Sequence, residues 1–213
     1  MVTASEATRD RIIAAATDEF AQFGVAGARI DRIARRAKSS KERVYAHFRS
    51  KDTLYRFVAE RELVEMSQAT RLDATDLPGY AGRVHDYFLA HPDHLRLMQW
   101  GRLDVTAVDD PDDPFQDTVR ETIRRGVEQV RRAQDAGRLD AAWDPIDVVV
   151  LVNQIALSWA WQVDLVELAG PDVRDRSIAA RRAAIVAAVS AIFPATVAVP
   201  VETSGVRAEQ GVG

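Results

Sequence analysis

Apolar residues recur at spacings of three and four along nearly the whole chain, and no stretch alternates apolar and polar residues between hairpin turns. A chain patterned this way has one stripe per segment to bury, so the expected fold class is all-α. Ile12, Ala16, Phe20 and Phe23 form the first stripe, on a helix from about Arg9 with Thr8 as its N-cap and Gly24 as its stop. Ile30, Ile33, Ala34 and Ala37 make a second, shorter helix. A third begins after Ser39–Ser40 and places Val44 and Phe48 on one face. Ser39 with Glu42 forms an S-x-x-E capping box, and Ser40 is an equally good cap. From Ser50 a long fourth helix follows, with Leu54, Phe57 and Val58 facing inward.

Beyond residue 70 the punctuation is clear. Leu77-Pro78-Gly79 opens a helix to about His91, and Pro92 opens the next, to about Leu103. The run Asp109-Asp110-Pro111-Asp112-Asp113-Pro114 reads as an acidic surface loop, since prolines and clustered carboxylates cannot continue a helix. Phe115 to Ala136 is helical and stops at Gly137; Pro145–Ala169 and Arg174–Phe193 are the last two long helices. The tail from Thr196 to Gly213 is small, polar and dotted with glycine, and is expected to be disordered. The domains expected are 1–50, a three-helix head, 51–195, a larger helical body, and 196–213, the tail.

The chain has no cysteine, which excludes disulfides, thiolate metal sites and cysteine nucleophiles. Its longest charge-free stretch, Val148 to Val163, is sixteen residues, short of the roughly 18–20 that span a bilayer. Its start has no apolar signal-peptide core. A cytoplasmic protein without membrane contact is expected. Charge is distributed unevenly: residues 1–60 hold 12 Lys and Arg against 8 Asp and Glu, within a chain of net charge −4. Between Arg29 and Arg56 there are ten basic residues against Asp31, Glu42 and Asp52. A basic segment on an acidic protein suggests a local site for a polyanion such as nucleic acid, or else a solvated helical face.

Helix two, a tight turn and helix three, with basic residues on both, form a helix-turn-helix arrangement. Ile33, Ala34, Ala37, Val44 and Phe48 would bind the pair to helix one. Lys41, Glu42 and Arg43 would then project from the first turn of helix three, the part that meets base edges in a major groove. Arginine can donate two hydrogen bonds to guanine O6 and N7. Arg29, Lys51 and the Tyr45 hydroxyl suit phosphates, and the Lys51 ammonium could share a phosphate with the N–H groups at the start of helix four.

The run from Arg9 to Leu54 resembles the DNA-binding domain of the tetracycline-repressor (TetR) family of transcriptional regulators. The matching features are Ile13-Ala14-Ala15-Ala16 with Phe20 and Gly24, Ile33-Ala34 with Ala37, Val44-Tyr45-x-His47-Phe48, and Ser50-Lys51-x-x-Leu54. The resemblance implies double-stranded DNA contacts by Arg29, Ser40, Lys41, Arg43, Tyr45, His47 and Lys51. Three positions depart from the family pattern. Ala28 stands where a phosphate-contacting Thr is common, Lys38 where the turn usually has Gly, and Ser39 where Val is usual. A left-handed Lys38 would cost roughly 1–2 kcal/mol.

Helix Pro145–Ala169 is apolar on more than one side. Val149, Val152, Ala156, Trp159 and Val163 lie on one face and Leu151, Ile155, Ser158 and Leu165 on another. Burial by its own domain and by a second copy explains this, with Arg174–Phe193 (Ile178, Ile185, Val189, Ile192) completing a four-helix homodimer interface; a central helix buried within a monomer is the alternative. A two-fold dimer would read an inverted-repeat operator. A small-molecule effector preferring one spacing of the heads would release it. Candidate effector residues are Tyr87, Phe88, His91, His94, Met98, Trp100 and Trp159, which combine aromatic lining with polar tips. His91-x-x-His94 lacks a third metal ligand and the Asp109–Asp113 run lacks the Gly and final Glu of a calcium loop, so neither metal nor cofactor is expected. The function expected is a DNA-binding repressor. A helical protein–protein adaptor and a helical-bundle enzyme are the alternatives, the latter without any nucleophile elbow, Gly-rich phosphate loop or H-E-x-x-H.

Overall fold

A computed structural model of the chain describes residues 4–103, 114–162 and 164–195. It is built from α1 (Ala4–Gly27), α2 (Ile30–Arg36), α3 (Lys41–His47), α4 (Lys51–Ala69), α5 (Leu77–Ala90), α6 (Pro92–Leu103), α7 (Pro114–Asp135), α8 (Pro145–Leu157), α9 (Leu165–Leu168) and α10 (Ile178–Ile192). No strand occurs among the described residues, and no described helix is long and apolar enough to cross a membrane. The acidic Asp109–Asp113 run, Val163 and the tail lie outside the described residues.

The apolar stripes meet in two cores. In the first, Ile12, Ala16 and Phe20 of α1 pack on Ile33 of α2, Val44 of α3, Leu54 and Val58 of α4, and Leu97 of α6. In the second, Val84 and Phe88 of α5 meet Val130 of α7, Val152 and Ala156 of α8, and Ile185 and Val189 of α10. Two helices serve both cores: α4 adds Met66, and α6 adds Leu95 and Met98, to the second. The head and body are therefore joined by packed helices as well as by chain.

Side-chain capping explains several helix starts. Ser50, Asp76, Asp144 and Ser177 each accept a hydrogen bond from an amide in the following turn, satisfying one of the donors a helix leaves unpaired at its start. Several expectations are corrected or refined. Thr8 is not a cap: α1 already begins at Ala4, where Ala4-Ser5-Glu6-Ala7 offers nothing to stop it and Glu6 favours a first turn. Gly24 does break the helix, at φ 66 and ψ 179, although one further turn follows it. The helix from Pro145 ends at Leu157 rather than Ala169, where the Ser158 hydroxyl donates to the Ile155 carbonyl at 2.8 Å and diverts it from the ladder. The last helix begins at Ile178, four residues after Arg174, because Ser177 caps it. Phe57 is only half-buried, 5.4 Å from the Phe48 ring and beneath the Arg9 guanidinium at 4.5 Å.

On α8, Val148, Val152, Ala156 and Leu157 are buried while Val150 and Leu151 are exposed. On α10, Ile185 and Val189 are buried, but Ile178 and Ile192, expected on the same stripe, are exposed. An apolar band thus remains uncovered on these two helices.

Candidate nucleic-acid interface and effector cluster

The turn between α2 and α3 is closed by its backbone. The Ser39 amide donates to the Ala34 carbonyl at 2.9 Å across Lys38, the only described non-glycine residue at positive φ (51). This six-to-one closure needs a left-handed residue, and here the chain uses a lysine. Between the two candidate caps the geometry selects Ser40, whose Oγ accepts from the Arg43 amide at 3.2 Å. A seven-residue helix has no stability of its own, and α3 is held by Val44, its one fully buried residue, and by Phe48 just after it. Lys41, Glu42, Arg43, Tyr45 and Ala46 are all exposed, and His47 is half-buried.

Electrostatics then differentiate these groups. Lys41 Nζ lies 3.2 Å from Asp31 Oδ1, and that hydrogen bond and charge raise the ammonium's pKa. The Glu42 carboxyl is held below its usual range by backbone N–H and Ser40 hydrogen bonds. The Arg43 guanidinium has no ion pair among the described residues. Arg29 is exposed and occupies the N-cap of α2 with extended backbone, φ −124 and ψ 123. The Lys51 ammonium points back to the α1–α2 joint, 3.4 Å from the Ala28 carbonyl and 3.5 Å from that of Ala26. Lys51 is thus a tether of the head as well as a positive charge beside it.

Of the candidate effector residues, the structure gathers four. Tyr87 packs edge-on to Phe88 at 5.3 Å and against His91 at 4.5 Å, and His91 stacks on His94 at 4.9 Å. The Tyr87 hydroxyl and His94 Nδ1 are hydrogen-bonded at 2.7 Å, and His94 Nε2 pairs with Glu62 of α4. Burial, reinforced by the carboxylates of Glu65 and Glu62, pushes the Tyr87 phenol well up. Met98 is half-buried against the second core. Trp100 and Trp159 do not join this cluster. Trp100 turns to the head, its Nε1 donating to the Ala21 carbonyl at 3.2 Å, because α6 packs along α1. Trp159 lies past the end of α8, beneath the Arg181 guanidinium at 4.7 Å.

Two contributors were missed from sequence: Glu62, and the pair Glu19–Arg32 that braces the start of α2. Glu19 did carry a signal, an acidic residue inside the stripe of Ile12, Ala16 and Phe20, where an unpaired charge could not stay. No group of three or more His, Asp or Glu able to hold a metal occurs among the described residues.

The model for bacterial regulatory proteins of the tetR family matches residues 12–58, and that for the tetracyclin repressor-like C-terminal domain matches residues 76–190. The chain is 36% identical over 155 residues to the HTH-type transcriptional repressor SCO4008 of Streptomyces coelicolor, covering 73% of this chain and 79% of the relative. It is 34% identical over 102 residues to the HTH-type transcriptional repressor NicS of Pseudomonas putida, covering 44% and 48%. Among solved structures, a putative transcriptional regulator, SCO4942 of Streptomyces coelicolor, superposes with TM-score 0.78 at 52% identity, covering 88% of this chain and 98% of that one. Salmonella enterica GusR, at 17% identity and TM-score 0.66 over 90% of this chain and 97% of its own, shares the fold.

Proposed function

The chain belongs to the tetracycline-repressor family of DNA-binding transcriptional regulators, and from that premise we propose that it is a homodimeric repressor released from an inverted-repeat operator by a small molecule. The observation that carries this reading is the α3 surface, with one buried anchor, Val44, and Lys41, Arg43 and Tyr45 exposed, together with an exposed Arg29 at the start of α2. In a major groove, Arg43 reads guanine edges through its two parallel donors. Arg29, Ser40, Tyr45, His47 and Lys51 set register by meeting phosphates, and Lys41 exchanges Asp31 for DNA. The repressor names of SCO4008 and NicS support occlusion of a promoter over activation. Its place of action is the cytoplasm.

Residues 1–50 form the DNA-binding head and 51–195 the effector and dimerisation body. Exposed Val150 and Leu151 on α8 and Ile178 and Ile192 on α10 are the groups a second copy would cover. The effector is taken at the Tyr87–His91–His94 cluster, whose link to Glu62 joins α4 to α6. A ligand that breaks this link favours one head spacing, and its effect is limited to its differential affinity for the two states.

The test is a gel-shift assay with duplex fragments from upstream of the chain's own gene. Specific retardation that weakens steeply with salt is expected, because each phosphate contact releases counterions. Absent or salt-insensitive retardation would contradict the proposal.

A further inference from the structure

Glu19 is the one fully buried acidic residue among the described residues, 1% exposed, in the turn of α1 that faces α2. Its Oε1 accepts the Arg29 amide at 2.9 Å and Arg32 Nε at 2.6 Å. Arg32 is held from two more sides, its Nη2 donating to the Gly27 carbonyl at 2.9 Å and its guanidinium lying 4.1 Å from the Phe23 ring centroid. Arg29 is the N-cap of α2 and makes no side-chain cap bond; Arg32 occupies the third helical position. In an ordinary capping box a Glu or Gln at that third position returns to the N-cap amide. Here the position holds arginine, and the carboxylate comes from another helix.

We propose that Glu19 is a positioning residue for DNA recognition: a capping carboxylate supplied by α1 that fixes Arg29 and the start of α2 against the head. The inference rests on the reading of Arg29 as a phosphate contact. Seven residues cannot hold a helix in place unaided, so the orientation of α2, and of α3 behind its turn, depends on what grips its ends. Stability alone does not call for this solution. A buried ion pair replaced by apolar residues of similar volume is often neutral or stabilising, because burial strips both charges of water. What the carboxylate supplies is direction: it accepts two hydrogen bonds, one from the amide of the residue whose side chain meets the DNA and one from the Arg32 guanidinium.

Operator binding is measured by fluorescence anisotropy across a salt series, on the operator duplex and on an unrelated duplex of equal length, beside thermal unfolding. The Glu19→Leu/Arg32→Leu double variant is expected to unfold within about 3 °C of the parent, or above it. Its operator affinity falls about tenfold while unrelated duplex is bound almost as before. Glu19→Gln keeps an acceptor for the Arg29 amide and falls between. Arg29→Ala weakens binding and reduces the salt slope by about 1, and adding Glu19→Gln to it costs little more, since the two act in series. Retained operator affinity in Glu19→Leu/Arg32→Leu, with Arg29→Ala impaired, would overturn the role of Glu19 alone. A fall in affinity that only tracks a matching fall in unfolding temperature would overturn it as well. Full affinity in Arg29→Ala would overturn the phosphate assignment and with it the means by which Glu19 acts.

Discussion

The indole of Trp100 lies against Gly24: a Cβ placed on that glycine would stand 2.8 Å from Trp100 Cδ2. The glycine has φ 66 and ψ 179, a backbone region closed to residues with side chains. The seam between body and head therefore passes over a residue that has to be glycine for two independent reasons. Gly24→Ala is expected to lower the unfolding free energy by about 2 kcal/mol or more, from strain plus clash. Denaturant titration checks it, and a loss below about 0.5 kcal/mol would rule out this backbone geometry.

Lys38 carries the opposite opportunity. It is exposed and left-handed at φ 51, where a side chain costs roughly 1–2 kcal/mol that glycine avoids. Glycine returns part of that gain through its freer unfolded chain. Lys38→Gly should raise stability by about 0.5–1 kcal/mol, read as a higher denaturation midpoint with unchanged slope.

The His85 side chain, on α5, is 1% exposed, and burial lowers its pKa below the ordinary imidazole value of 6.5. The unfolded chain then binds this proton more readily than the folded one. The contribution to stability is complete above pH 6.5 and is lost as pH falls towards the folded-state pKa. The loss is at most about 1.4 kcal/mol per pH unit. His85→Gln should flatten the stability profile below pH 6.5, as equilibrium unfolding at pH 5, 6 and 7.5 would show. An undiminished slope would assign the effect to other groups.

Roles within the interface separate by what each variant does to sequence preference. Tyr45→Ala and Lys51→Ala should weaken binding to every duplex alike, and Arg43→Ala should also relax base preference, by about 1–3 kcal/mol at one position per half-site. Because the Lys51 ammonium also meets the Ala28 carbonyl at 3.4 Å, its loss should lower the unfolding temperature slightly, which Tyr45→Ala should not. Competition binding with single-base operator variants distinguishes the cases; equal relaxation by all three would overturn the assignments.

Much of the head is legible in the sequence because its determinants are local. The spacing of Ile33, Ala34 and Ala37, the serines before Lys41 and Lys51, and the glycine at 24 each act within one helical turn. What escaped depends on partners distant in the chain. Trp100 is an aromatic at helical spacing, and nothing near it reveals that Ala21, 79 positions away, accepts its hydrogen bond. Glu62 pairs with His94 across two helices. The end of α8 was missed for a subtler reason: from Val152 to Ala169 the sequence has no proline and no glycine to stop a helix, and a single hydroxyl at Ser158 diverts the ladder.

The most direct test of a paired head reading DNA through α3 is selection of bound duplexes from a random pool by the purified protein. The expected product is an inverted repeat with half-site centres one or more helical turns apart, with a guanine in each half-site whose enrichment disappears in Arg43→Ala. Selection of an unsymmetric sequence, or of the same repeat undiminished in Arg43→Ala, would contradict it.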